Sequence, residues 1–538
     1  MKNIISRLIT SETKTNFILL FILFVSLLMM SPKWNIGFIS FIVTSVNLRY
    51  FRNVKFWKAI LFTLFVSISA SFIGNQGVMP FPVPVMFTII LFLGVIKLIP
   101  LVLDKLLYKR LPGIMAIFIY PASALIIESY IANGPNGTFG NIAYNLVDFN
   151  ALMQLTSITG IWGIAFIIYL FASVVNHLLE NFQNIKIVRI YLIGYCALFS
   201  IILIFGFIRL FVGSVSMKKA ETLKVASVTS ENKKWSIAIH KAVTGKIMSF
   251  PKKIDQTSPQ LVEFQLSFSE FIKDHNNPKF DSVYSALEEY YDEIFTSSQM
   301  AVNDGAKIIL LSEGEMISFD DRENAIIERA QNFARNNNVY FFFSMGTIYP
   351  EKMQKNKPFI GNKILTIDPY GDILDIYYKN VPVINVDPSI PGDGIIDVVE
   401  TPFGNFSPII CYDADFPAMM RQTGNNNTDV ILVATGDWYS ITPYHSKIGK
   451  VRSIENGVSM LKTVSYGLSV AADPFGNILA EDNFFEDNIH ILTADIPIYK
   501  IKTLYSSAGD FLVSISYIYL ISIFIYLITI QIVKKIKQ

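Results

Sequence analysis

A thiol becomes a strong nucleophile only when one group takes its proton and another stabilises the charge that follows. Cys411, in the run IICYDADFP, is the only cysteine outside the long apolar segments, and it sits where a strand-like run ends and a turn begins. With an unperturbed pKa near ~8.5, such a thiol is mostly protonated at neutral pH. Glu313 follows AKIILLS and Lys379 follows DILDIYY, each again at the end of a strand-like run. A carboxylate can accept the thiol proton, and an ammonium can hold both thiolate and developing oxyanion, so these residue types point to covalent acyl transfer. The backbone N–H of Tyr412, just past the sulfur, offers a second oxyanion donor. Glu315, in the same SEGE segment, competes with Glu313 for the role of base. Taken singly, each residue has an ordinary reading as a core thiol, a loop carboxylate or a strand-end lysine. Three reactive groups at three strand ends carry the argument together.

Other chemistries find little support. There is no G-x-S-x-G elbow, and His177, His240, His275, His445 and His490 are scattered without H-E-x-x-H or C-x-x-C spacing. No glycine-rich phosphate loop follows a strand. The expectation is a site with no metal and no cofactor.

The elements that must position these groups begin near Thr222. LKVASVTS, AKIILLS, VYFFFSMGTIY, SPIICYD, DVILVAT and HILTADI read as strands, rich in β-branched and aromatic residues. Helical patterns lie between several of them, including SVYSALEEYYDEIFTSSQMAVNDG, NAIIERAQNFARNNN and SKIGKVRSIENG. This alternation predicts an α/β domain whose strand ends present the chemistry. DPYG and DPFG, each between two strand-like runs, predict hairpin turns with glycine at a positive-φ position. Residues 235–283 show no clear period and read as an insertion or arm.

The rest of the chain is too apolar for an ordinary soluble protein: 52% of its 538 residues are hydrophobic and 16% charged. Seven apolar runs, about 16–31, 34–49, 55–76, 82–103, 113–132, 155–178 and 190–212, precede the domain, and an eighth, about 511–533, follows it. Most approach the ~20 residues a bilayer core requires; the first two are short and closely spaced. Lys2, Arg7, the RYFRNVKFWK stretch, Lys105, Lys109, Arg110, Lys186, Arg189 and the closing KKIKQ fall on one side, whereas NQGVMP and GPNGTFGNIAYNLVDFNALMQ carry no Lys or Arg. Positive charge stays in the cytoplasm, so both termini are expected inside and the domain outside. Lys97 and Arg209, near span ends, read as snorkelling cations. Three regions follow: 1–217 with seven transmembrane helices, 218–505 as an extracytoplasmic catalytic domain, and 506–538 as a closing helix with a cytoplasmic tail. The fold class is therefore a polytopic α-helical membrane region plus an extracytoplasmic α/β domain. A net charge of +2 says nothing about nucleic acid, and no basic face interleaved with aromatics suggests it as a partner.

Glu, Lys and Cys in this chain order, with SEGE, YYKN and ICYDADFP around them, resemble the nitrilase (carbon–nitrogen hydrolase) superfamily. The resemblance covers about residues 222–497 and implies an αββα sandwich. VRSIENG resembles that superfamily's Arg-Ala-x-Glu-Asn/x-Gly helix, which implies buttressing roles for Arg452 and Glu455. The membrane spans around such a domain, together with SITGIWGIAF and GDWYSITPYHS, resemble the apolipoprotein N-acyltransferase family over essentially the whole chain. That resemblance implies Trp438 and His445 as site-wall residues. It also implies Asp387, eight residues past Lys379, in place of the family's loop glutamate, although KNVPVINVD lacks the family's surrounding motif. Asp413 stands where the family usually has Glu, and Ser312 where it has Pro, so this chain is a divergent example. The implied reaction moves an acyl chain from a membrane phospholipid through a Cys411 thioester to the N-terminal amine of a diacylated lipoprotein. The implied location is a bacterial inner membrane with the catalytic domain on the periplasmic side. A membrane-tethered amidase, an acyltransferase with a glycolipid or polysaccharide acceptor, and a non-enzymatic receptor on the same fold are the competing readings.

Overall fold

The apolar runs become helices wherever their length suits a bilayer. The computed structural model describes residues 2–355, 357–384, 386–486 and 490–536; Lys537, counted above among the closing charges, lies outside them. Before the domain come α1 (Lys2–Met29), α2 (Ile39–Asn53), α3 (Phe56–Gly74), α4 (Val83–Leu107), α5 (Gly113–Ala132), α6 (Ile161–Glu180) and α7 (Ile185–Met217). Among the described residues, α3 to α7 and a closing helix, Phe511–Ile536, make six that are long and apolar enough to cross a membrane. The apolar part of α1, Thr13–Met29, and the 15-residue α2 are shorter.

Three local expectations are corrected. The second run is displaced: α2 starts at Ile39 and runs to Asn53, so Arg49 and Arg52 lie inside a helix, not in a loop. Arg52 can be buried there because its Nε and Nη2 each lie 2.7 Å from an oxygen of Asp104 on α4, a bidentate pair that neutralises both charges. The sixth run begins at Ile161 because Gly160, at φ +62, ends the short turn Thr156–Thr159. Lys97 and Arg209 find polar partners in place of simple snorkelling: Lys97 Nζ is 3.4 Å from Glu128 Oε1, and Arg209 donates to Gln154.

Contacts gather Gly77–Phe81 and Phe211–Ser507 into a second compact unit. Its elements are β1 (Thr222–Thr229), α8 (Lys234–Thr244), α9 (Pro259–Lys273), α10 (Asp281–Asn303), β2 (Ile308–Leu311), β3 (Met316–Phe319), α11 (Glu323–Asn337), β4 (Tyr340–Ile348), β5 (Ile360–Ile367), β6 (Ile373–Tyr378), β7 (Val399–Thr401), β8 (Gly404–Ile410), α12 (Pro417–Asn425), β9 (Val430–Gly436), α13 (Tyr444–Asn456), β10 (Ser459–Ser465), β11 (Leu468–Ala472), β12 (Ile478–Asn483) and β13 (His490–Pro497); the closing helix is α14. One sheet runs β13-β1-β2-β4-β5-β6 with β3 beside β4, and the other runs β12-β11-β10-β9-β8-β7.

Strand period decides how the layers stack. Along β1, β2 and β4, Val225, Ile308, Leu310 and Phe342 join Phe406, Ile409, Leu432 and Met460 of the other sheet in one core. Their neighbours Ala226, Ile309, Leu311, Phe341 and Phe343 point the opposite way, into a second core with Leu287 and Ile294 of α10 and Ala330 of α11. Strands apolar on both faces must be covered on both faces. α12 and α13 pack together on the other side, α13 against β10 and β11, which completes an αββα sandwich. Each large side chain so buried contributes roughly 1.5–3 kcal/mol.

Both expected hairpins are present. Gly371 (φ +83) turns β5 into antiparallel β6 while Asp368 Oδ1 accepts from the N–H groups of Tyr370 and Asp372 at 2.9 and 2.8 Å. Gly476 (φ +71) does the same between β11 and β12, with Asp473 Oδ1 accepting from Phe475 and Asn477. The segment read as aperiodic contains α8 and α9. Their buried stripes, Ser236, Ile239 and His240 on one helix and Ser267, Phe271 and Ile272 on the other, are partly polar, which conceals the helical period.

Candidate active site

β2 ends at Leu311, β6 at Tyr378 and β8 at Ile410, and the residues just beyond them converge. Lys379 Nζ lies 2.7 Å from Glu313 Oε1 and 2.6 Å from Asp387 Oδ2, with the lysine almost wholly buried. Asn362 Nδ2 donates to the same Glu313 oxygen at 2.8 Å, and the N–H of Gly436 donates to its other oxygen at 3.0 Å. Cys411 Sγ sits 3.9 Å from the carbonyl oxygen of Gly436. One residue at the end of β9 thus meets both groups, the carboxylate through the peptide before its Cα and the thiol through the peptide after it.

Cys411 takes a left-handed backbone, φ +46, an unfavourable choice for a residue with a Cβ. The twist ends β8 sharply and starts the 3₁₀ turn Cys411–Asp415. The Tyr412 amide is the next peptide N–H after the residue that carries the sulfur. Burial pushes the Cys411 thiol well above its ordinary range; the Glu313 charge adds to this and Lys379 opposes it. Burial works against the Lys379 ammonium, yet Glu313, Cys411 and Asp387 together raise its pKa well above the usual lysine value. Asp387 is held below the ordinary carboxylate range: burial acts upward, but Lys379 and the hydroxyl and amide of Ser389 outweigh it. The resting arrangement is a protonated thiol beside a carboxylate and a fixed cation. It can pass the thiol proton to Glu313 and stabilise an oxyanion next to Lys379.

Asp413, expected near the site, holds its frame. It accepts from Tyr377 Oη at 2.8 Å, Asn380 N at 3.2 Å and Val381 N at 2.7 Å, so it ties the turn after the thiol to the strand end bearing Lys379. Burial lifts its pKa to about 6 against those hydrogen bonds. Glu315 points elsewhere. Its carboxylate accepts from Tyr290 Oη at 2.6 Å, Thr229 Oγ1 at 2.8 Å, Ser230 N at 2.9 Å and the Ser312 hydroxyl, and burial raises its pKa.

With this geometry in view, comparison with known proteins is informative. A carbon-nitrogen hydrolase family model matches residues 275–504, and an apolipoprotein N-acyltransferase N-terminal domain model matches residues 25–174. The apolipoprotein N-acyltransferase of Rickettsia prowazekii is 25% identical over 409 residues, covering 74% of this chain and 73% of its own length. Apolipoprotein N-acyltransferase 2 of Treponema denticola is 25% identical over 437 residues, covering 72% and 71%. Over about three quarters of its length the chain is similar to apolipoprotein N-acyltransferases. Among solved structures, Saccharomyces cerevisiae Nit3, a member of the nitrilase superfamily, aligns with a TM-score of 0.36 at 15% identity, covering 52% of this chain and 90% of its own.

The remaining residues expected from that family fall into place around the thiol to different degrees. Trp438 Nε1 donates to the carbonyl oxygen of Gly77 at 2.8 Å, so it pins the segment after β9 to the Gly77–Phe81 loop. His445 is buried between Asp437, 2.6 Å from Nδ1, and Asp415, 3.0 Å from Nε2. Burial alone would lower its pKa; Asp437, followed by Asp415, outweighs burial and the opposing Lys462 and raises it to about 9. Arg452 and Glu455 pair at 2.7 Å on α13, both fully buried. Four contributors were not singled out from the sequence: Asn362, Gly436, Asp415 and Asp437. Only Asn362 left a signal, an amide beside Lys363 in a strand that ends in Ile, Leu, Thr and Ile. Among the described residues, no group of three His, Cys, Asp or Glu could hold a metal ion.

Proposed function

We propose that the chain is a membrane N-acyltransferase that moves a fatty acyl group from a phospholipid, through a Cys411 thioester, to the α-amine of a diacylated lipoprotein. The observation that carries this reading is the meeting of Cys411, Glu313 and Lys379 at three strand ends, in a chain built on apolar helices of membrane-spanning length.

In the first half-reaction the Cys411 Sγ–H proton passes to Glu313 as sulfur attacks the ester carbonyl carbon. Lys379 Nζ and the Tyr412 N–H hold the oxyanion. The C–O bond then breaks, and the departing lysophospholipid oxygen takes the proton back from Glu313. In the second, the lipoprotein amine attacks the thioester, Glu313 accepts the amine proton, the C–S bond breaks and the thiolate is reprotonated. A thioester tolerates water moderately and yields readily to an amine, which suits an intermediate awaiting a second lipid-anchored substrate. Asp387 keeps Lys379 in place, and Arg452 with Glu455 stiffens α13 behind the site.

Residues 218–505 form the catalytic domain on the extracytoplasmic side, with both termini cytoplasmic; the loop-charge asymmetry supports this orientation. Placing the chemistry at the bilayer surface spares extraction of acyl chains whose burial contributes ~0.8 kcal/mol per CH₂. Mass spectrometry of the Cys411 peptide after incubation with phospholipid is the test. An acyl adduct that disappears on adding a diacylated lipopeptide, with appearance of the N-acylated product, is expected. An adduct lost to water at the same rate without the lipopeptide would favour a hydrolase, and absence of any adduct would refute the reading.

A further inference from the structure

The β8–β9 ladder ends at the pair Ile410–Ala434, one residue short of Cys411 and two short of Gly436. Beyond that point no strand pairing fixes the sulfur relative to the peptide that holds Glu313. His445 spans this gap. Its Nε2 lies 3.0 Å from Asp415, the last residue of the Cys411 turn, and its Nδ1 lies 2.6 Å from Asp437, the residue after Gly436. Nδ1 lies 2.6 Å from Asp437 but 3.4 Å from the Lys462 ammonium, so the carboxylate is its main partner; carboxylates only accept, and two of them on one imidazole require hydrogens on both ring nitrogens, which makes it a cation. Lys462 on β10 anchors the same residue from a third side, donating to the His445 carbonyl oxygen at 3.1 Å, and Asp437 N–H donates to Ser465 at 2.9 Å.

We propose that His445 is a positioning residue for acyl transfer, a buried imidazolium that clamps the Cys411–Asp415 turn to Gly436–Asp437 and thereby sets the separation of the thiol from Glu313. The clamp acts on two reacting groups at once, since Gly436 binds Glu313 through its N–H and faces the sulfur through its carbonyl oxygen, in the two peptides that meet at its Cα. A charged clamp suits this place because a cation between Asp415 and Asp437 offsets the repulsion of two buried anions. His445 is therefore a brace behind the site, not part of its wall. The inference rests on the acyl-transfer reading for its kinetic arm alone.

The groups facing the ring are Asp415 from the thiol turn, Asp437 from the β9 end and Lys462 from β10. Because Cys411 and Lys379 ionise at higher pH, loss of activity centred near pH 9 reports on the clamp. Two measurements on the full-length protein in detergent micelles test it. The first is the pH profile of thioester formation at saturating phospholipid. The second is the rate of Cys411 alkylation by iodoacetamide, read on the Cys411 peptide because Cys196 is exposed and would react as well, while Cys411 is buried.

For H445Q we expect a loss of at least about tenfold in the acylation rate with the phospholipid KM unchanged, and no decline centred near pH 9. D437N retains an acceptor for Nδ1–H and so keeps the fold, but it removes one anion. We expect its alkaline decline to move to lower pH, and its alkylation profile to change over the same range. A D437N decline that stays near pH 9, or H445Q acylation within about threefold of the parent, would overturn the clamp. If the parent forms no thioester, the acyl-transfer reading fails, whereas the alkylation profile still decides the clamp.

Discussion

Replacing Lys379 with methionine keeps the length of the side chain and removes the ammonium that lies 2.7 Å from Glu313 and 2.6 Å from Asp387. At an effective dielectric of about 20, each pair attracts by roughly 6 kcal/mol before desolvation is subtracted. Breaking one buried pair typically destabilises by about 3–5 kcal/mol, because the charge left behind has no partner. Here two carboxylates are stranded together, so K379M belongs near the upper end of that range, limited by proton uptake at Asp387 once its cation has gone. For a unit of this size the melting midpoint in detergent micelles should fall by on the order of 10 °C. K379M/D387N removes one stranded charge and should regain about half of that loss. Thioester formation should stay at least about 10²-fold below the parent in both variants, because no cation faces the oxyanion. Fluorescence-monitored melting and a time course of the Cys411 adduct separate the two effects. The reasoning fails if K379M melts with the parent, or if the double variant acylates at a parental rate.

Three further outcomes follow from the same geometry. E315Q should melt earlier, by about 1–3 kcal/mol, through disturbed bonds to Tyr290, Thr229 and Ser230, yet form the thioester within a few-fold of the parent, whereas E313Q should fold and form almost none; equal acylation by both would reverse the assignment of base. Asp413 binds its proton more tightly folded than unfolded, with its pKa raised from 3.8 to about 6, so stability should decline by about 3 kcal/mol as pH rises from 4 to 6 and level off above; denaturant titrations should show that decline missing in D413N. C411S should melt with the parent and give no adduct, because a hydroxyl beside Glu313 is a far weaker nucleophile than a thiol; retention of transfer by C411S would exclude the thioester route.

The site was legible where chemistry and strand pattern coincide. Cys411, Lys379 and Glu313 each follow a run whose composition announces a strand, and strand C-termini are where an α/β fold places functional groups. The choice between Glu313 and Glu315 was not legible, since both follow β2 and only the turn at Gly314 (φ +58) and the hydroxyls of Thr229 and Tyr290 separate them. The hairpins at Gly371 and Gly476 were fixed by local turn chemistry. The end of α2 was hidden because Arg52 reads as a loop residue until Asp104, 52 positions later, is brought against it. Asp415 and Asp437 escaped for the same reason: their meaning depends on a histidine that only the tertiary fold places between them.

Gly436 joins two peptide planes: the one before its Cα donates to Glu313, and the one after it turns its carbonyl oxygen toward the sulfur. Its φ and ψ let either plane turn without the other, but a displacement of β9 carries both along. A library built in Val430–Thr435 should therefore change adduct lifetime and rate of formation in step, where a library at Gly436 itself would separate them.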